Sequence, residues 1–167
     1  MLIKKIGEYP RFELLQAQVL ALKKNIKRNQ IALQWRDEYD KTYGNSSCMD
    51  HVYNEEQFIN IIPDLQGTEI DKLLNFFSFR TFRARIMTLA TNISYIPHID
   101  SRPRIHIPII SNPKCRFVFF NPERQEEEYM PADGGIYWID VRTRHTFENK
   151  SDQSRIHIVM VTDYVCE

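Results

Sequence analysis

The chain has 167 residues, 43% of them hydrophobic and 26% charged, which is ordinary globular usage and excludes a disordered or collagen-like chain. That length suits one domain, with a core large enough to stand without disulfide staples. Lys and Arg total 22 and so do Asp and Glu, so the formal charge is zero; this disfavours a net-basic nucleic-acid binder, though it leaves room for a local basic patch.

The opening stretch MLIKKIGEYPRF has two lysines with no apolar run after them, so it does not read as a secretory signal. No run of about 18 apolar residues follows anywhere, and no membrane span is expected. Leu15, Val19, Leu22 and Ile26 recur at helical spacing, with Lys23, Lys24, Lys27 and Arg28 among them. This predicts an amphipathic helix with solvated lysines. Residues 40–52 read as a polar loop around Gly44, and His51 within it has no matching partner, so it reads as structural or surface. Thr68 and Asp71 resemble a capping box for a second helix carrying Leu73, Leu74, Phe76 and Phe77. Residues 1–78 are therefore expected to be mainly helical.

From about residue 79 the texture changes to short strands. Phe79 to Leu89, Arg104 to Ile110, Arg116 to Phe120, Gly135 to Asp140 and Arg155 to Thr162 are rich in β-branched and aromatic residues. Asn112-Pro113, Asn121-Pro122, Asp133-Gly134-Gly135 and Asn149 to Asp152 punctuate them. Glu126-Glu127-Glu128 reads as a solvated loop face. The expected fold is mainly β with N-terminal helices, an antiparallel sandwich or small barrel forming a single domain over 1–167. Cys48, Cys115 and Cys166 are odd in number and scattered, which fits a reducing cytoplasm rather than a disulfide framework or thiolate metal site.

The chemistry concentrates in Pro97-His98-Ile99-Asp100 and in Arg144-His145-Thr146-Phe147. In an extended chain residues two apart point to the same side, so His98 and Asp100 can aim an imidazole and a carboxylate at one point. Two histidines and a carboxylate with open positions opposite suit non-heme Fe(II). In the final strand Arg155 and His157 share one face, and Arg104 and His106 repeat the pattern. An arginine fork pairs bidentately with a carboxylate. If the intervening isoleucines face an outer layer, these basic pairs point into the barrel and require anionic company, which a small dicarboxylate would supply. The other reading is a pair of edge strands with wet basic faces. Arg83 and Arg85 also share a face; one can receive a substrate carboxylate, or both can be surface charge. Tyr95 and Trp138 can wall a pocket or belong to the core.

The string HID-x3-RIHIPI, then ADGGIYWID, then RHTFEN-x5-RIHIVMVTD resembles the aspartyl/asparaginyl β-hydroxylase family, nearest its cis-proline-hydroxylase-like branch of Fe(II)/2-oxoglutarate oxygenases. The resemblance covers roughly residues 85–163. It implies a double-stranded β-helix, a cupin-like jelly roll, with His98, Asp100 and His145 as metal ligands. It implies that Arg155 holds the distal carboxylate of 2-oxoglutarate and that Arg104 and His106 line the co-substrate pocket; His157 has no counterpart. The implied activity is a dioxygenase using Fe(II), 2-oxoglutarate and O2. It would hydroxylate an unactivated C–H bond of an amino acid, free (such as proline) or an Asp/Asn residue in a peptide or protein, and release succinate and CO2. The short chain favours a small amino acid or short peptide as substrate. The rival from another class is a jelly-roll module that binds a ligand or metal without catalysis, since one fold hosts many functions.

Overall fold

In the computed structural model, residues 2–36, 43, 54–122 and 125–166 are described. Residues 40–42 and 44–52, with Cys48 and His51, lie outside them. Eight antiparallel strands wind between two facing sheets. These are β5 (Thr81–Leu89), β6 (Ile93–Ser94), β7 (Arg104–Ile110), β8 (Cys115–Phe120), β9 (Gln125–Glu128), β10 (Gly135–Ile139), β11 (His145–Asn149) and β12 (Arg155–Thr162). One sheet carries the order β10-β7-β12-β5 and the other β6-β11-β8-β9. That is a jelly roll, in which every strand exchanges partners across the chain. The larger sheet is extended at both edges by early segments: β1 (Ile3–Glu8) pairs with β10, and β2 (Gln30–Ala32) pairs with β5. A separate small ribbon joins β3 (Gln34–Trp35) to β4 (Asn60–Ile61).

Strand parity builds two cores. Ile105, Ile107 and Ile109 of β7, with Ile156, Ile158 and Met160 of β12, face a helical layer. Leu15 and Val19 of α1 (Phe12–Asn25) and Ile70 and Leu73 of α2 (Glu69–Leu74) close over them. The opposite face meets the smaller sheet through Phe117, Phe119, Tyr137, Ile139 and Phe147. β7 and β12 are interior strands, so their basic residues are enclosed between the sheets and are not on wet edges. Pro108 sits beyond the paired stretch of β10 and beside a register shift in the β12 ladder, where its missing N–H does least harm.

The structure corrects the mainly helical first half: α1 and α2 share it with β1 to β4. Residues 126–128, read as loop, form β9, an edge strand paired with β8 and bristling with carboxylates. The Thr68–Asp71 capping box does not form: the Thr68 hydroxyl donates to the Leu65 carbonyl, and the Asp71 carboxylate accepts from the Gly67 N–H. No helix among the described residues is long and apolar enough to cross a membrane.

Candidate metal centre and its cavity

His98 and His145 exchange both backbone hydrogen bonds, at 2.9 Å each, so a two-residue bridge sets the two rings side by side. Asp100 is fixed in turn by its N–H to the Val141 carbonyl at 3.0 Å. Each imidazole Nδ1 lies 2.9 Å from a backbone carbonyl, that of Ile96 for His98 and that of Thr143 for His145. A carbonyl only accepts, so each Nδ1 carries the proton and each Nε2 keeps its lone pair. Both Nε2 atoms stand 3.8 Å from Asp100 Oδ2. One donor atom from each of the three residues falls within 4.8 Å of the others. Two imine nitrogens and a carboxylate oxygen, oriented from behind, are a donor set that fits a divalent first-row metal.

Burial grades the ligands. The His145 side chain is 4% exposed and that of His98 is 47% exposed. Burial lowers the His145 pKa, partly offset by the Thr143 carbonyl, which favours the neutral ring that a metal requires. His98 therefore marks the mouth of the site and His145 its wall.

These residues open onto a cavity of about 330 Å³ between the sheets. Arg83, Arg85, Tyr95, Arg104, His106 and Arg155 line it as well. Arg155 is 2% exposed, with its guanidinium carbon 3.6 Å from the centroid of Phe147. Its Nε and Nη1 have no hydrogen-bond partner. Burial pushes its pKa down to about 10, so it is still a cation at neutral pH. His106 and His157 share a hydrogen bond between their Nδ1 atoms at 3.1 Å, one donating and the other accepting. Burial and the neighbouring Arg155 hold both rings well below the usual histidine range.

Arg104 is differently engaged. It forks onto Glu55 with bonds of 2.9 and 3.2 Å, and its Nη2 also lies 3.1 Å from Asp100 Oδ1. It thereby turns the other Asp100 oxygen, Oδ2, towards the imidazoles. Arg83 meets the same Glu55 at 2.6 Å. Burial alone would raise the Glu55 carboxyl, but Arg104 and Arg83 overcome that and hold it below the ordinary glutamate value. Glu55 escapes a reading of the strand half because it lies far upstream, in a turn (Glu55–Gln57) capped by Asn54 and Gln57. The Asn-x-x-Gln spacing was the available signal.

Arg83 and Arg85 both reach the cavity by way of a β-bulge. Phe82 and Arg85 oppose Val161 and Val159, so β5 carries one extra residue here. Arg83 takes it up at φ +50°, a conformation uncommon outside glycine and typical of strained positions beside sites. Neither arginine is simple surface charge: Arg85 is buried and Arg83 is paired. Trp138 is a correction. It faces the helical core, away from the cavity, and its indole N–H donates to the Tyr164 carbonyl at 2.8 Å. Its strand is apolar on both faces, so alternation could not say which face turned inward. The cavity walls that composition did not suggest are Gln30, Met87, Phe117, Val141 and Val159.

No protein-family model matches the chain, and no curated protein does. Among solved structures it is similar to EvdMO1, with a TM-score of 0.57 and 12% identity over 98% of this chain and 48% of that one. It is also similar to a 2OG-Fe(II) oxygenase family oxidoreductase from Burkholderia pseudomallei (TM-score 0.43, 17% identity, 60% of this chain and 54% of that one). A cupin domain from Bordetella pertussis Tohama I gives a TM-score of 0.42 and 12% identity over 53% of this chain and 88% of that one. The chain spans about half the length of EvdMO1 and of the oxygenase, and the likeness to EvdMO1 is one of fold.

Proposed function

We propose that the chain is an Fe(II)- and 2-oxoglutarate-dependent dioxygenase that hydroxylates an unactivated C–H bond of a small amino acid or short peptide. The observation that carries this reading is a single cavity holding two kinds of receptor. His98, Asp100 and His145 converge donor atoms at its mouth, and Arg155, buried and with two nitrogens unpartnered, lines its interior. His98, Asp100 and His145 would hold the iron, and Arg155 would take the far carboxylate of 2-oxoglutarate. The iron, with 2-oxoglutarate and O2, supplies the oxidising power, and 2-oxoglutarate leaves as succinate and CO2.

The protein's own work is orientation. The Ile96 and Thr143 carbonyls fix the tautomers of the two histidines, and Arg104, braced by Glu55, fixes the Asp100 rotamer. Phe147 fixes the plane of Arg155 and, with Phe117 and Val159, keeps bulk water from the cavity wall. His106, neutral at working pH, would offer its Nε2–H to a bound carboxylate when its Nδ1 accepts from His157, without adding a further charge. The free thiols of Cys115 and Cys166 suit a reducing compartment, so the cytoplasm is the proposed location.

The test is an anaerobic titration of the purified chain with Fe(II) and 2-oxoglutarate, following the visible charge-transfer band of the chelate. The expected band needs both components and is lost in His98→Ala and His145→Ala. A band of undiminished strength in either variant, or undiminished 2-oxoglutarate consumption when air is admitted, would remove the ligand assignment. A folded protein without a band would make the chain a ligand-binding module instead.

A further inference from the structure

His106 and His157 stand on the neighbouring interior strands β7 and β12, where His106 opposes Val159 and His157 opposes Pro108. The two rings meet diagonally across that pair through their Nδ1 atoms. His106 lines the cavity and His157 does not. His157 is fully buried and packs edge-to-face on Phe147 and on His106 itself. On the reading above, His106 meets the co-substrate and His157 has no task. A polar ring in a sealed interior position is costly unless its hydrogen bonds are made.

The protons of the pair can be counted. Burial, and then the Arg155 cation, keep both rings neutral, so two protons serve four nitrogens. One proton lies in the bond between the Nδ1 atoms, 3.1 Å apart. The ring that donates it has a bare Nε2, and the ring that accepts it carries its own proton on Nε2. His157 Nε2 is shut off from solvent with no hydrogen-bond partner. An N–H there would be an orphaned buried donor, which folded proteins avoid more strictly than an orphaned acceptor. His157 is therefore the donor, and the second proton sits on His106 Nε2, the nitrogen that His106 has left for a cavity ligand. The opposite arrangement would turn a lone pair towards the cavity, where it would repel a carboxylate.

We propose that His157 is a positioning residue for the co-substrate: its Nδ1–H donates to His106 Nδ1 and so fixes His106 as an Nε2–H donor for a carboxylate of 2-oxoglutarate. This rests on the oxygenase reading and adds a residue that acts through His106 alone. The metal ligands are handled by the same device with its sign reversed. For His98 and His145, backbone carbonyls hold Nδ1 protonated and leave Nε2 bare for a cation. For His106, His157 holds Nδ1 bare and leaves Nε2 protonated for an anion. One cavity thus sorts its imidazoles by the charge of the ligand each one meets.

The experiment has two readouts. First, the full chain is labelled with nitrogen-15 histidine and loaded with Zn(II) and 2-oxoglutarate. Ring tautomers are read near neutral pH from long-range proton–nitrogen correlations, with His106→Gln and His157→Gln assigning the signals. The expected result is a proton on Nδ1 of His157 and on Nε2 of His106. The reverse pair, or a doubly protonated ring at either position, would overturn the proposal. Second, 2-oxoglutarate dissociation constants are measured by anaerobic calorimetry on Mn(II)-loaded protein. His157→Leu, which cannot donate, should weaken binding about fivefold, the loss expected for one hydrogen bond. His157→Gln, whose amide N–H can donate, should restore it to within about twofold of the wild-type chain. In a His106→Leu background, His157→Leu should change the constant less than about twofold, because the residue it acts through is gone. An equal loss in both backgrounds, or no loss where His106 is present, would overturn the proposal. Failure of the metal-loaded wild-type chain to bind 2-oxoglutarate removes the oxygenase reading and the proposal with it, whereas binding with reversed tautomers removes the proposal alone. The tautomers are read in the wild-type chain, so the first readout decides even where His157→Leu fails to fold.

Discussion

Arg155 stands against an aromatic ring with two nitrogens unanswered, and that arrangement separates stability from binding. An unpaired buried charge opposes folding, whereas the same charge with a carboxylate in place is an anchor. Arg155→Met should therefore leave the ligand-free melting temperature unchanged or raise it, while weakening 2-oxoglutarate by about 2–5 kcal/mol. Unaltered 2-oxoglutarate affinity would move Arg155 out of the site. Glu55 is the reverse case. Glu55→Ala removes the buried carboxylate that Arg83 and Arg104 share and should destabilise the chain by about 3 kcal/mol in urea unfolding. The two buried histidines give a pH dependence. Their folded pKa values lie well below the ordinary 6.5, so in acid the unfolded chain binds more protons than the folded one. Their contribution is complete above about pH 6.5 and is lost as pH falls towards the folded values. The urea midpoint should decline between about pH 7.5 and 5.5, less steeply when both are changed to Gln; an equal slope in that variant would count against these two rings.

Elements differ in how plainly the sequence announced them. β7 and β12 were readable to their ends because β-branched residues alternate with basic ones at the two-residue period of a strand. The His98–Asp100 pair of the candidate metal site stood out in the same way, as residue types two apart. β9, with its sequence QEEE, has no apolar residue to betray it and exists because β8 offers a ladder. β2 is three residues long and β1 is half lysine and glutamate, so both depend on edges built later in the chain. The bulge at Arg83 was hidden, since an extra residue leaves no compositional mark and no glycine flags it. The interior of β7 carries much of the fold: Ile107 is fully buried beneath the helical layer, and Ile107→Ala should cost about 2–5 kcal/mol by denaturant titration.

Over the whole molecule, zero net charge conceals a segregation. Arginines gather between the sheets, while β9 holds glutamates at the rim of the smaller sheet. A dianion is drawn by the local field and not by the net charge. Association of 2-oxoglutarate with the metal-loaded protein should therefore slow as salt rises from about 0.05 to 0.5 M, where the screening length contracts to a few ångströms. A salt-independent rate in stopped flow would mean that the arginines act only after contact.

The pairing of β1 with β10 also has a consequence for synthesis. Ile3 finds Ile139, so β1 must wait during synthesis for a partner strand about 130 residues further along the chain. At about 5–20 residues per second it waits on the order of ten seconds, exposed and unladdered. Its two lysines and one glutamate among six residues make it tolerable in water during that wait, which a wholly apolar strand would not be. β1 lies at the edge of the larger sheet, outside the eight strands of the jelly roll, and covers that edge once β10 is available.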